Sequence, residues 1–182
     1  TGANNVGVGL CALRISTTGS GNTSVGACSL CHNTTASNNT ALGFCSLHEN
    51  TTGCENTAIG KDAMLATTTG IRNVAVGKGA LKTNTTGDAN VAIGRDALGV
   101  ATTGFDSMQA NTTGADNTAV GKDALFTNTT GADNTALGNN ALKANTTASE
   151  NTAVGAYSLG TNTTGTANVA VGRGALQVNT TG

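Results

Sequence analysis

The chain has 182 residues, a formal net charge of −1 and only 10% charged residues, so it carries no basic stripe for nucleic acid and points to no polyanionic partner. Aromatics are 2%, Trp and Pro are absent, and a mixed core of rings and long aliphatics is therefore excluded. No apolar run approaches the roughly 20 residues that a membrane-spanning helix needs.

What remains is Gly, Asn, Thr and Ala in strict register, which sets the sequence apart from a disordered tract of similar composition. Asn5, Asn22, Asn39, Asn56, Asn73 and Asn90 open successive units, as do Asn117, Asn134, Asn151 and Asn168. Every step is seventeen residues except Asn90 to Asn117, which is ten longer. A unit runs Asn, Thr or Val, a small residue, an aliphatic, then Gly at position 5. Ala or Ser and then Leu or Met follow at positions 8 and 9, and a Thr pair at positions 13 and 14.

The opening of each unit, as in Asn73-Val74-Ala75-Val76-Gly77, alternates with a period of two, which predicts a half-buried strand. Column-fixed Gly and β-branched pairs make the units poor helix formers. Gly9, Gly26, Gly43 and Gly60 mark corners where φ > 0 is needed, and Gly131 and Gly165 mark a second corner. Two or three short strands per unit would close one coil of an all-β solenoid, a parallel β-roll or β-helix of seventeen-residue coils. The 182 residues read as one array of about ten coils; at about 4.8 Å per coil it would form a rod of about 50 Å. Two inward ladders are expected. One runs from Val8 and Val25 through Leu42, Ile59, Val76, Ile93, Val120, Leu137 and Val154 to Val171. The other runs through the Leu and Met residues from Leu13 to Leu176. One Thr of each pair should face inward, and Asn side chains can form ladders along the axis. Asn, Ala and Gly are left for the outer strand face, as at Asn90, Ala92 and Gly94, a flat surface suited to self-association.

The first third holds all five Cys, at positions 11, 28, 31, 45 and 54 of the chain. Cys11, Cys28 and Cys45 share a column, and stacked coils would bring their Cα atoms about 5 Å apart, a distance that suits a disulfide. Such bridges would fit an extracellular rod. The alternatives are free thiols or a metal site, since Cys28-x-x-Cys31 stacked on Cys45-x-x-His48 offers four candidate zinc ligands. Asn33, Asn50, Asn84, Asn111, Asn128, Asn145, Asn162 and Asn179 each begin Asn-Thr-Thr, an N-glycosylation acceptor that also follows from duplicating one repeat. Mid-chain, Lys61, Lys78 and Arg95 line up beside Asp62 and Asp96 as a self-neutralising edge, with ligand binding the alternative. No phosphate-binding loop and no catalytic constellation stand out, so neither an enzyme nor a cofactor is expected.

The longer step at Asn90 predicts a break. Gly104 to Gly114 matches the second half of a unit with its strand missing, Met108 and Ser107 taking the Leu and Ala columns. A coil short of about seven residues would leave a gap for Phe105 to fill, with an irregular loop or kink between Gly99 and Gly114. The chain opens and closes at nearly the same phase of the repeat without a visible cap, which reads as a window of a longer fibre or a rod covered by other subunits.

Units such as NVAVGKGAL and NVAIGRDAL resemble the haemagglutinin-type head repeats of trimeric autotransporter adhesins, and the longer NTAVG form is similar to arrays in phage and large-virus tail and surface fibres. The resemblance implies an elongated extracellular, cell-surface or virion-surface filament. It would be a homo-oligomer, trimeric or stacked end to end, that presents an adhesive tip to a receptor or glycan. A second class, ice binding, would use outward Thr and Asn ladders of the Asn-Thr-Thr segments.

Overall fold

A computed structural model describes residues 2–98 and 111–182 of the chain. It is an all-β solenoid, with one three-residue strand per coil: β1 (Val6–Val8), β2 (Thr23–Val25), β3 (Thr40–Leu42), β4 (Thr57–Ile59), β5 (Val74–Val76), β6 (Val91–Ile93), β7 (Thr118–Val120), β8 (Thr135–Leu137), β9 (Thr152–Val154) and β10 (Val169–Val171). These ten pair in chain order as a single parallel sheet, each residue beside its counterpart in the next unit. The two or three strands expected per coil reduce to one. The rest of each coil is turns whose amides still reach the neighbouring coil, as in Leu47 N–H to Ala63 O at 2.9 Å and Thr51 N–H to Thr68 O at 3.0 Å.

The turn geometry explains the residue choice. Gly60, at φ +131°, has no room for a side chain: a Cβ there would lie 2.5 Å from the Gly77 carbonyl oxygen of the next coil. The Leu and Met column is also left-handed, with Leu47 and Met64 both at φ 52°. A β-branched residue is badly strained in that region, so an unbranched-at-Cβ side chain must fill the core there.

The predicted Leu and Met ladder is buried from Leu30 to Leu159, joined by Ala at position 8. The other predicted ladder is reversed. From β3 to β10 the middle residue of the strand, as at Ala41, Ala58, Ala75 and Ala92, points inward and is buried, while Leu42 and Ile93 are exposed. The coil is thin, and with a Leu already projecting from the opposite wall only a methyl fits from the strand. Where coil 2 has Ser24 instead, its hydroxyl meets Ser29 Oγ at 2.5 Å and Ser29 O at 2.9 Å, so the polar pair is satisfied inside.

Two Asn ladders complete the interior. At position 1, Asn73 accepts at its Oδ1 both the N–H (2.9 Å) and the Nδ2–H (3.1 Å) of Asn90. Its own Nδ2 donates to Gly87 O and Asn56 Oδ1. At position 12, Asn145 donates from Nδ2 to Asn128 Oδ1 (2.8 Å) and to Ala148 O (2.9 Å). Buried amides are tolerated because their donors and acceptors meet in register. Neither Thr of a pair enters the core: Thr34 is half-buried and Thr35 exposed, and the Thr34 hydroxyl donates to Thr51 O.

The long step does not interrupt the solenoid. β6 pairs directly with β7, Val91 opposite Thr118 and Ile93 opposite Val120. Asn111 Nδ2 donates to Asn84 Oδ1 at 3.2 Å, and Asn117 N–H to Asn90 Oδ1 at 3.1 Å. Leu98 and Asn111 both occupy their ladders, with ten more residues between them in the sequence than in the other units. The expected role of Phe105, Ser107 and Met108, and the kink itself, fall on 99–110, outside the described residues.

Candidate functional site

Two features of the described surface depart from a bare repeat. The first is the outer strand face. Because Ala points in, positions 2 and 4 point out, forming two parallel columns: Thr or Val (Thr57, Val74, Val91, Thr118) and Val, Ile or Leu (Ile59, Val76, Ile93, Val120). Leu42, Ile93 and Leu137 in the second column are each more than 40% exposed. Asn90 and Ala92 of the predicted association surface are thus in the core, with Gly94 half-buried at the corner, and the predicted core column is the surface.

The second is a cluster between coils 2 and 3. Cys31 and His48 stack in one column of turn residues, His32 and Glu49 in the next, as their seventeen-residue offsets require. Cys31, His32 and His48 bring one potential ligand atom each to within 4.8 Å of one another. The imidazole rings lie 4.6 Å apart, edge to face. The Glu49 carboxylate bridges them, Oε2 to His32 Nδ1 at 2.8 Å and Oε1 to His48 Nδ1 at 2.9 Å. The hydrogen bond from His32, reinforced by His48, holds the Glu49 carboxyl below its usual range. Burial pushes the Cys31 thiol upward, opposed by the Arg14 guanidinium one coil earlier in the same column. Burial likewise raises the Cys45 thiol.

All five cysteines are free thiols. Cys11, Cys28 and Cys45 form the expected column, each with positive φ, but no disulfide links them. Of the four residues read as zinc ligands, Cys31 and His48 belong to the cluster, while Cys28 and Cys45 do not. The zinc pattern took only the two columns of Cys28 and Cys31, whereas His32 and Glu49 stack in the column next to Cys31 and His48. The glycosylation candidates Asn33, Asn50, Asn84, Asn111, Asn128, Asn145 and Asn162 are fully buried, their Nδ2 atoms turned into the ladder, and Asn179 is partly buried. A glycan on Nδ2 has no room in a formed coil. The basic column is the solvated edge expected, with Lys61 Nζ 3.8 Å from Asp62 and Arg95 Nε 3.5 Å from Asp96, pairs worth about 0–1 kcal/mol each. Lys78 stands beside Gly79 rather than an acid, and further along the same edge Lys122 and Lys143 share Asp123.

Together these features define a β-solenoid repeat protein with one exposed aliphatic sheet face. Comparison with protein-family models, with curated proteins and with solved structures finds no match. Among the described residues no helix is long and apolar enough to cross a membrane.

Proposed function

We propose that the chain is a non-enzymatic shaft, a segment of an extracellular or virion-surface fibre whose copies associate side by side through the outer strand face. The observation that carries this reading is the lattice of outward Thr, Val, Ile and Leu on β1 to β10, in register over every coil. Ten strands at about 4.8 Å spacing and three residues at about 3.3 Å give a face of roughly 43 by 10 Å, or about 430 Å². A stable pair of proteins buries about 800 Å² per partner, so this face is about half of what is needed. The shortfall has a consequence for a fibre: contact area grows linearly with coil number, and a longer array associates more tightly without new chemistry.

Sedimentation equilibrium and negative-stain microscopy of the purified chain test this, alongside the double variant Ile59→Lys/Val76→Lys. Both residues point outward, so the fold should survive, and the variant should shift toward monomer at concentrations where the parent associates. A parent that stays monomeric, or a variant that associates equally well, would sink the proposal. Thermal hysteresis from a monomer would reassign the same face to ice, with the Thr column of the strands in place of the Asn-Thr-Thr segments.

A further inference from the structure

We propose that Cys31, His32 and His48 form a zinc(II) site that fastens coil 2 to coil 3, with Glu49 as its outer carboxylate. Thiolate and imidazole are the donors zinc prefers in tetrahedral sites, at about 2.3 Å for sulfur and about 2.0–2.1 Å for nitrogen. Those bond lengths place the donors roughly 3.3–3.7 Å apart. The observed group, within 4.8 Å, exceeds that spacing by at most about 1–1.5 Å. The carboxylate arrangement is the second, independent indication. By taking the Nδ1–H of both rings, Glu49 fixes each imidazole as the tautomer whose Nε2 lone pair is free. That is the carboxylate–histidine pairing that orients metal-bound imidazoles.

Access also fits. Cys31 is buried, whereas the His32 and His48 side chains are 32% and 21% exposed, so an ion can enter past the rings and seat against the sulfur. On binding, the thiol proton leaves to solvent, the sulfur and two ring nitrogens each give an electron pair to zinc, and water fills the fourth position. The donors come from two coils, so the metal joins segments that are otherwise linked there by main-chain bonds such as His32 N–H to His48 O at 3.1 Å. Repetition does not account for the cluster. The chain has two histidines and both are here; the next coil puts Leu65 and Ala66 in the same columns.

The test is equilibrium dialysis of the reduced full chain against zinc(II), with cobalt(II) as a spectroscopic stand-in. One zinc per chain is expected, with a thiolate-to-cobalt charge-transfer band and the intense visible bands of four-coordinate cobalt. Cys31→Ser and His48→Gln should each weaken binding by at least about 100-fold, and Glu49→Gln by about 10–100-fold, the range for outer-shell partners. Cys11→Ser and Cys54→Ser should bind as the parent does. Zinc should raise the melting temperature of the parent and of those two controls, and leave Cys31→Ser unmoved. Absence of saturable binding overturns the proposal, as does a weak octahedral cobalt spectrum without the sulfur band. So does zinc binding that survives His48→Gln, or that Cys11→Ser abolishes. If a ligand variant fails to fold, the cobalt spectrum of the parent still decides.

Discussion

The position-12 ladder has a fault whose repair is predictable. Among the described residues, three buried side-chain atoms lack a hydrogen-bond partner: Ser16 Oγ, Asn50 Oδ1 and Thr67 Oγ1. All three lie in one column, where Ser16 and Thr67 stand in for Asn. Asn50 donates normally to Asn33 Oδ1 (3.0 Å) and Gly53 O (2.9 Å), but its acceptor faces a Thr that does not donate back. One coil on, Asn84 Nδ2 keeps its bond to Gly87 O. Thr67→Asn should restore three bonds: Nδ2 to Asn50 Oδ1, Nδ2 to Gly70 O, and Oδ1 from Asn84 Nδ2. Gly70 O already accepts from Asn56 Nδ2 at 2.8 Å and would then take two donors, as Gly53 O does from Asn39 and Asn50. At about 1 kcal/mol net per bond, the expected gain is about 3 kcal/mol. Asn fits the identical site in the neighbouring coils, so little strain offsets it.

For a chain of this length, about 3 kcal/mol corresponds to a melting temperature roughly 6–12 °C higher. Thermal melts followed by circular dichroism at fixed protein concentration read this out. Thr67→Val is the control: it removes the orphaned hydroxyl at constant shape but leaves Asn50 Oδ1 unmatched, so it should change stability by less than about 1 kcal/mol. A Thr67→Asn protein no more stable than its parent would refute the ladder argument. A Thr67→Val protein matching Thr67→Asn would also refute it, because the gain would then come from deleting a hydroxyl and not from joining the ladder.

Other perturbations test the coil itself. Gly60→Ala forces a Cβ against the Gly77 carbonyl at a φ reserved for glycine, and chemical denaturation should show a loss of about 3 kcal/mol or more. Leu81→Val should lose more than the about 0.8 kcal/mol of one methylene, because Val cannot relax at φ 52°, whereas Leu81→Met should be nearly neutral, as Met64 already occupies that conformation; equal losses in the two melts would count against the conformational account. Deleting residues 101–110 leaves two residues between Leu98 and Asn111, as in every other coil, and the product should keep its β spectrum and cooperative melt. Loss of either would mean that the ten residues are needed for the coil to close.

The repeat made the architecture legible: seventeen-residue register, parallel stacking, no helix and the Leu ladder all follow from column identities. The period of two at the strand was equally plain, but a period does not say which of its two phases is inside. Hydrophobicity favoured Val and Ile for the interior, as it would in a wide sandwich. Volume decides here, because the wall opposite already contributes a buried Leu or Met in each layer from Leu30 to Leu159. The two Asn ladders supply a further reason that hydropathy scales miss. An amide costs a great deal to bury alone, yet in a stack of identical coils each Oδ1 finds an Nδ2–H one layer away. Asn in the core is therefore a property of the array, invisible in a single unit. His32 and Glu49 likewise meet only because their column repeats every seventeen residues.

This reversal carries the functional argument. A sheet whose aliphatics faced inward would present Asn, Ala and Gly to solvent, and a neighbouring chain would gain little hydrophobic free energy by covering them. With Ala and Asn inside, the coil closes on a core that needs nothing from a partner, and the side chains with most to gain from burial are left on one flat face. Leu42, Ile93 and Leu137 contribute less to the core than the Ala beside them. A Thr or Ser column would serve a solvated rod equally well, and the Thr at 57, 118, 135 and 152 shows that the outer position 2 accepts one. Position 4 is aliphatic in all ten strands. That uniform choice at an outward position, in every coil and in register, is the observation on which the proposed side-by-side association rests.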